Sequence, residues 1–233
     1  MIRVLHAEWT KLRTEPAARW LLPGIVVTTV SASLFAVAAA SCRGGGCDAD
    51  PVALSLAGVR LGQALVVLLA VLAIGGEQAT GLLRTTFTAA PRRIVVLAAK
   101  AVLVGGLTMA AATVAVVGCL AAGRTILPGK GIAAPAPADG NTLRAAGGSV
   151  LYLVLVALLA LGVAAAIWDS AVSAGAVFAL LYATPLVTAV INDPELQRTL
   201  RRYAPMTASH PVLAAWSVAS LLVGAILLHR RDA

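Results

Sequence analysis

Charge is what this chain has least of. Only 12% of its 233 residues are Asp, Glu, Lys or Arg, about half the share a soluble domain carries, which excludes an ordinary water-soluble globular protein. The strict alternation of apolar and polar residues that marks a membrane barrel is absent too. Cysteines number three. Cys42 and Cys47 flank Arg-Gly-Gly-Gly in one loop and either pair, if that loop faces an oxidising compartment, or remain separate thiols. With no His or acid cluster beside them they do not make a metal site, and Cys119, inside an apolar run, reads as a small core residue.

Chemistry is equally sparse. Acids are missing from the centres of the apolar runs, with Glu77 and Asp169 only at run ends, which argues against an ion-coupled carrier. Gly129-Lys130 resembles the tail of a phosphate-binding loop, but Arg124 stands where its first glycine belongs and Gly131 where Ser or Thr would hold magnesium. ATP is therefore not expected to bind this chain. Ser209-His210 lacks a third partner and an oxyanion motif, and Ser149 after Gly147-Gly148 has only the distant His210 to work with. No catalytic residue, cofactor or metal is expected.

What is present in quantity is apolar side chain: 60% of the residues, with a mean hydropathy of +0.91. These residues come in blocks of roughly 20, enough for a helix to cross the ~30 Å hydrocarbon layer. Backbone groups in lipid must bond internally, so the blocks read as helices. The net charge of +8 does not point to nucleic acid, because the basic residues sit at the ends of apolar runs. The expected fold is all-α, a single transmembrane domain over 1–233 with spans at 20–40, 58–76, 96–122, 146–167, 171–191 and 211–228. Residues 1–19 carry too much charge for a cleavable signal and read as an interfacial helix, with Leu5, Trp9 and Leu12 at helical spacing. Trp9, Lys11 and Arg13 anchor it at the headgroups, Glu8 pairs with Lys11, and Lys100 snorkels to the near interface. Pro23 falls in the opening turn of the first span, and Trp168-Asp169-Ser170 make a very tight turn. Six spans put both termini on one side. Ten of the 18 basic residues then face that side, which makes it the cytoplasm, with the chain in the inner (plasma) membrane.

Between spans 2 and 3 lies a basic amphipathic segment. As a helix it places Ala79, Leu82, Leu83, Phe87 and Ala90 on one side and Gln78, Gly81, Arg84, Thr85 and Thr88 largely on the other, and Pro91 stops it. Such a helix can lie on the bilayer and offer its polar face to a cytoplasmic partner.

Ala7-Glu8-Trp9-Thr10-Lys11-Leu12-Arg13 resembles the N-terminal segment of bacterial ABC transporter permeases of the type-2 exporter class. Glu77-x-x-Thr80-Gly81-x-x-Arg84-Thr85-Thr86, followed by Pro91-Arg92-Arg93 and Lys100, is similar to the segment after their second span, and Tyr203-Ala-Pro205 to their last outer loop. The resemblance covers the whole chain in architecture and about 40 residues in specific motifs. It implies a permease subunit that works as a homodimer or heterodimer with separate ATP-binding cassette subunits. The 77–93 segment would be the coupling helix, with Glu77, Gly81, Arg84, Arg92 and Arg93 contacting the ATPase. The resemblance leaves the exported substrate open among lipids, peptides and small hydrophobic toxins, an amphiphilic or hydrophobic molecule being one class it admits. The alternative is a multipass scaffold or sensor that recruits cytoplasmic proteins or anionic lipids.

Overall fold

Proline writes the first break in the chain. Pro16 has no N–H to donate and disfavours helical backbone at Glu15, so the N-terminal segment divides there. Helix α1 runs Ile2–Thr14, and α2 begins at Pro16 and continues to Ala39. The division expected near residue 19 thus lies at Glu15. Pro23, expected in an opening turn, is inside α2 and leaves the Arg19 carbonyl without its helical N–H.

The computed structural model describes residues 2–40, 50–79, 93–130, 132–136, 139–167, 169–190 and 210–230. All the regular structure among them is helical. After α2 come a short α3 (Pro51–Ser55), α4 (Val59–Ala79), α5 (Arg93–Ile126), a single 3₁₀ turn at Pro128–Lys130, α6 (Gly140–Ile167), α7 (Ser170–Val190) and α8 (His210–Arg230). Five of these, α2, α4, α5, α6 and α8, are long and apolar enough to cross a membrane, and the chain is a multi-pass helical membrane protein. The 34 residues of α5 rise about 51 Å, more than one crossing needs.

Several expected loop residues are helical. Asp50 caps α3 by accepting from the Val52 N–H, so part of the 41–57 loop is ordered as helix. Helix α6 starts at Gly140, six residues before the expected span at 146, with its first turn closed by Leu143 N–H donating to the Asp139 carbonyl. Of the expected turn at Trp168-Asp169-Ser170, Trp168 lies outside the described residues and Ser170 already belongs to α7. Asp169 accepts from the Val172 N–H at 2.8 Å and starts α7.

The helices fall into two compact units whose boundaries lie within α2, α4, α5 and α6 rather than in linkers. In the unit formed by Trp20–Val66 and Leu107–Val154, α2 and α4 run antiparallel in close contact. A Cβ added at Gly58 would lie 2.0 Å from the Thr29 carbonyl oxygen, and one at Gly62 would lie 2.0 Å from Thr29 Oγ1. The Gly58 N–H donates to Ser33 Oγ. Helix α5 runs parallel to α2, with Gly118 against Val30 and Cys119, buried as expected, donating to the Thr29 carbonyl. Lys130 donates to the carbonyls of Ala38 and Ala40, which satisfies the open end of α2. Val37, Leu127 and Ile132 close an apolar cluster beside it.

In the other unit, Met1–Arg19, Val67–Gly106 and Leu155–Ala233, α6 and α8 run parallel. Ser217 Oγ donates to the Leu155 carbonyl, and further along Gly162 meets Ser220 and Leu221 while Gly224 meets Gly162 and Ala165. Only a missing side chain permits that approach. A Cβ at Gly162 would come 2.5 Å from the backbone carbon of Ser220, whereas one at Gly147, also on α6, would meet nothing within 4 Å. Gly162→Ala should therefore lower stability by about 1–3 kcal/mol, while Gly147→Ala should be neutral or add up to about 1 kcal/mol through helix propensity. Thermal unfolding of the two purified variants in detergent separates them; equal midpoints would refute the close packing of α6 on α8.

Candidate functional site: a buried ion pair under the N-terminal helix

Helix α1 turns a charged residue inward. Glu8 is 2% exposed, with Leu5, Lys11 and Glu15 half-buried near it, while His6, Trp9, Thr10 and Arg13 are exposed. The inward face thus carries Leu5, Glu8 and Glu15 at helical spacing. Trp9, expected on the same stripe as Leu5, lies on the outer face. Within the helix, Lys11 Nζ donates to Glu8 Oε1 at 3.1 Å, the pairing expected from spacing.

The stronger partner is distant in sequence. Lys100 Nζ lies 2.8 Å from Glu8 Oε2, with both side chains at most 5% exposed, and it donates to the Ala73 carbonyl of α4 at 2.9 Å. Lys100, expected to snorkel to the interface, instead turns into the protein. The physical reason is that a carboxylate and a nearby carbonyl replace its water, which an apolar run by itself cannot do. One ammonium therefore joins α1, α4 and α5.

Two further contacts gather at the same end of α4. The Glu15 carboxylate lies against the backbone at Gly76, where an added Cβ would come within 2.2 Å of its oxygen, and Ser170, the first residue of α7, packs on Gly75. Helix α1, the end of α4, the start of α5 and the α6–α7 turn are thereby brought together within one unit.

Burial pushes the Glu8 carboxyl up. The Lys100 ammonium beside it, with hydrogen bonds from Lys100 and Lys11, outweighs that and holds it below its ordinary value.

The remaining predicted site residues are distributed unevenly. Glu77 lies in the last turn of α4 and Arg93 opens α5. Gly81, Arg84 and Arg92, with the rest of the 80–92 stretch, lie outside the described residues, as do Cys42 and Cys47. Among the described residues no group of three His, Cys, Asp or Glu side chains comes together. Sequence reasoning missed the Glu8–Lys100 contact although two signals pointed to it: a lysine seven residues into an apolar run, and a glutamate centred on the Leu5–Leu12 stripe. No protein-family model matches this chain, and no curated protein matches it.

Replacing one member leaves the other charged and buried, so Glu8→Gln should destabilise on the order of 3 kcal/mol. Glu8→Leu combined with Lys100→Met should recover most of that loss; a double variant as unstable as both singles added would remove the pair as the cause. The pH dependence has a defined sign. With the folded-state carboxyl held low, the stabilisation is complete above the unfolded glutamate value and is lost as pH falls through the folded one. The stability gap between the natural chain and Glu8→Gln should hold across neutral pH and shrink below about pH 4.3, as read by unfolding midpoints in detergent.

Proposed function

We propose that this chain is the membrane-spanning permease subunit of an ATP-driven ABC exporter, with six crossings and ATP hydrolysed on a separate subunit. One observation carries the reading. Two of the three segments on which the family resemblance rests meet in space, Glu8 of the 7–13 motif contacting Lys100, which closes the second motif, at 2.8 Å. An N-terminal connector and a coupling segment that act on one partner need to share one end of the molecule, and these flank it together.

The helix register supports the six-crossing topology. α1 meets α4 and α5 near the ends that bracket residues 80–92, and α7 starts at that same end of α4. Parallel packing of α6 and α8 directs the end of α8 the same way. In this reading both termini share one face, which the basic flanks make cytoplasmic.

In this reading α1 is the interfacial connector and residues 77–93 are the coupling helix. Glu77, Gly81, Arg84, Arg92 and Arg93 form the contact with the ATPase. Closure of the nucleotide-bound ATPases displaces the coupling helix, and the Lys100 contacts make α1, α4 and α5 move with it. Two permease copies, identical or different, enclose the path of the exported substrate.

The test is a pull-down of the tagged protein, gently solubilised from its native membrane. A stoichiometric ATP-binding subunit should co-elute, and Arg84→Glu should abolish its recovery while leaving the permease inserted. Elution without any ATPase would transfer the assignment to a multipass scaffold or sensor.

A further inference from the structure

The two acids of the N-terminal segment are both withdrawn from its outer face. Glu8 is buried against Lys100 and Glu15 is half-buried against Gly76. On the opposite side of α1, His6, the adjacent Trp9 and Thr10, and Arg13 lie three or four residues apart along one stripe, all exposed. Trp9 is 42% exposed. Arg19, in the first turns of α2, is exposed as well. The threonines add little outward polarity, since Thr10 and Thr14 donate their hydroxyls back to carbonyls of their own helix. What remains outward is an indole ring among cations, with no acid of the described N-terminal segment on the same face.

We infer that this outer face of residues 6–19 is a recognition surface for the headgroups of an anionic phospholipid bilayer. Three observations select that occupant. The charge is of one sign because the compensating acids are used internally. An exposed Trp four residues before an Arg suits the headgroup layer, where the ring sits in the interface and the guanidinium meets phosphate. The rotation of α1 about its own axis is set by the Glu8–Lys100 contact, so the stripe is presented in one orientation. A neutral bilayer would satisfy the ring and leave the arginines without counter-charge, whereas an anionic one attracts each of them. The inference goes beyond the exporter reading and holds whether or not an ATPase binds.

The test uses the full chain with Trp9 as its single fluorophore, through Trp20→Phe, Trp168→Phe and Trp216→Phe. It is reconstituted into phosphatidylcholine bilayers that contain a minor fraction of either phosphatidylglycerol or phosphatidylcholine with brominated acyl chains. Brominated phosphatidylglycerol should quench Trp9 severalfold more strongly than brominated phosphatidylcholine at the same fraction. That excess should disappear in Arg13→Gln with Arg19→Gln, persist in Arg13→Lys with Arg19→Lys, and persist in the control Arg124→Gln with Arg144→Gln. The lysine pair separates loss of charge from loss of fold. Equal quenching by the two lipids, or an excess that survives the glutamine pair, would overturn the inference. No quenching by either lipid would overturn it too, and would assign the face to a protein partner.

Discussion

A carboxylate and an ammonium that leave water together govern the N-terminal end of this protein. Either ion buried by itself would cost several kcal/mol, so Glu8 can be enclosed only where Lys100 reaches it, and Lys100 only where Glu8 and the Ala73 carbonyl take the place of solvent. That mutual requirement decides how α1 is rotated. With Glu8 inward, Leu5 and Glu15 follow it and Trp9 and Arg13 are turned out. It also decides which helix ends are neighbours, because a single ammonium can bridge α1, α4 and α5 only if all three meet within the length of one lysine. A well-packed apolar pair could be as stable as the ion pair. It would not impose one register as strictly, since apolar contact is non-directional.

Away from that cluster, cohesion comes from close backbone approach. Apolar helices in lipid gain little from burying more hydrocarbon, so small residues and hydroxyl contacts carry the packing. Gly58 and Gly62 let α4 approach Thr29 and Ser33 of α2, and Gly162 and Gly224 do the same between α6 and α8. Hydroxyls and amides left over by the helices are used in the same contacts, as where Ser33 accepts from the Gly58 N–H and Ser217 donates to the Leu155 carbonyl. Exposed side chains such as Phe35, Val114, Val117 and Leu222 are left for lipid.

These two kinds of contact set where the charged segments of the described residues lie. The N-terminal motif and the residues flanking 80–92 occupy one end of the unit to which they belong, beside the α6–α7 turn. A partner that docks there would touch a basic segment tied through Lys100 to two long helices. A push on that segment would therefore be felt along the spans, which is the mechanical requirement of a permease driven by an external ATPase. The outward stripe of α1 would meet a different need, holding that end at the level of the headgroups if the spans move as proposed.

Much was legible from the residues alone. Long apolar blocks with charges at their ends specify spanning helices, since nothing else satisfies the backbone in lipid, and Asp169 before an apolar run announced the turn into α7. Pro16 is as legible a helix break as the charge boundary at Arg19. The early start of α6 was harder to see, because Asn141 to Arg144 look like loop by composition and are helical by continuity. The partner of Glu8 lay beyond sequence spacing. Lys11 is close along the chain and legible from spacing, whereas Lys100 is 92 positions away and becomes a neighbour only once α4 and α5 fold back beneath α1. Sequence by itself determined that this is a helical membrane protein and where its charges lie along the chain, because hydrophobicity and helix length are local properties. Tertiary structure alone decided which charges are spent inside and which face outward, because the cost of burying an ion is set by what the rest of the fold places beside it.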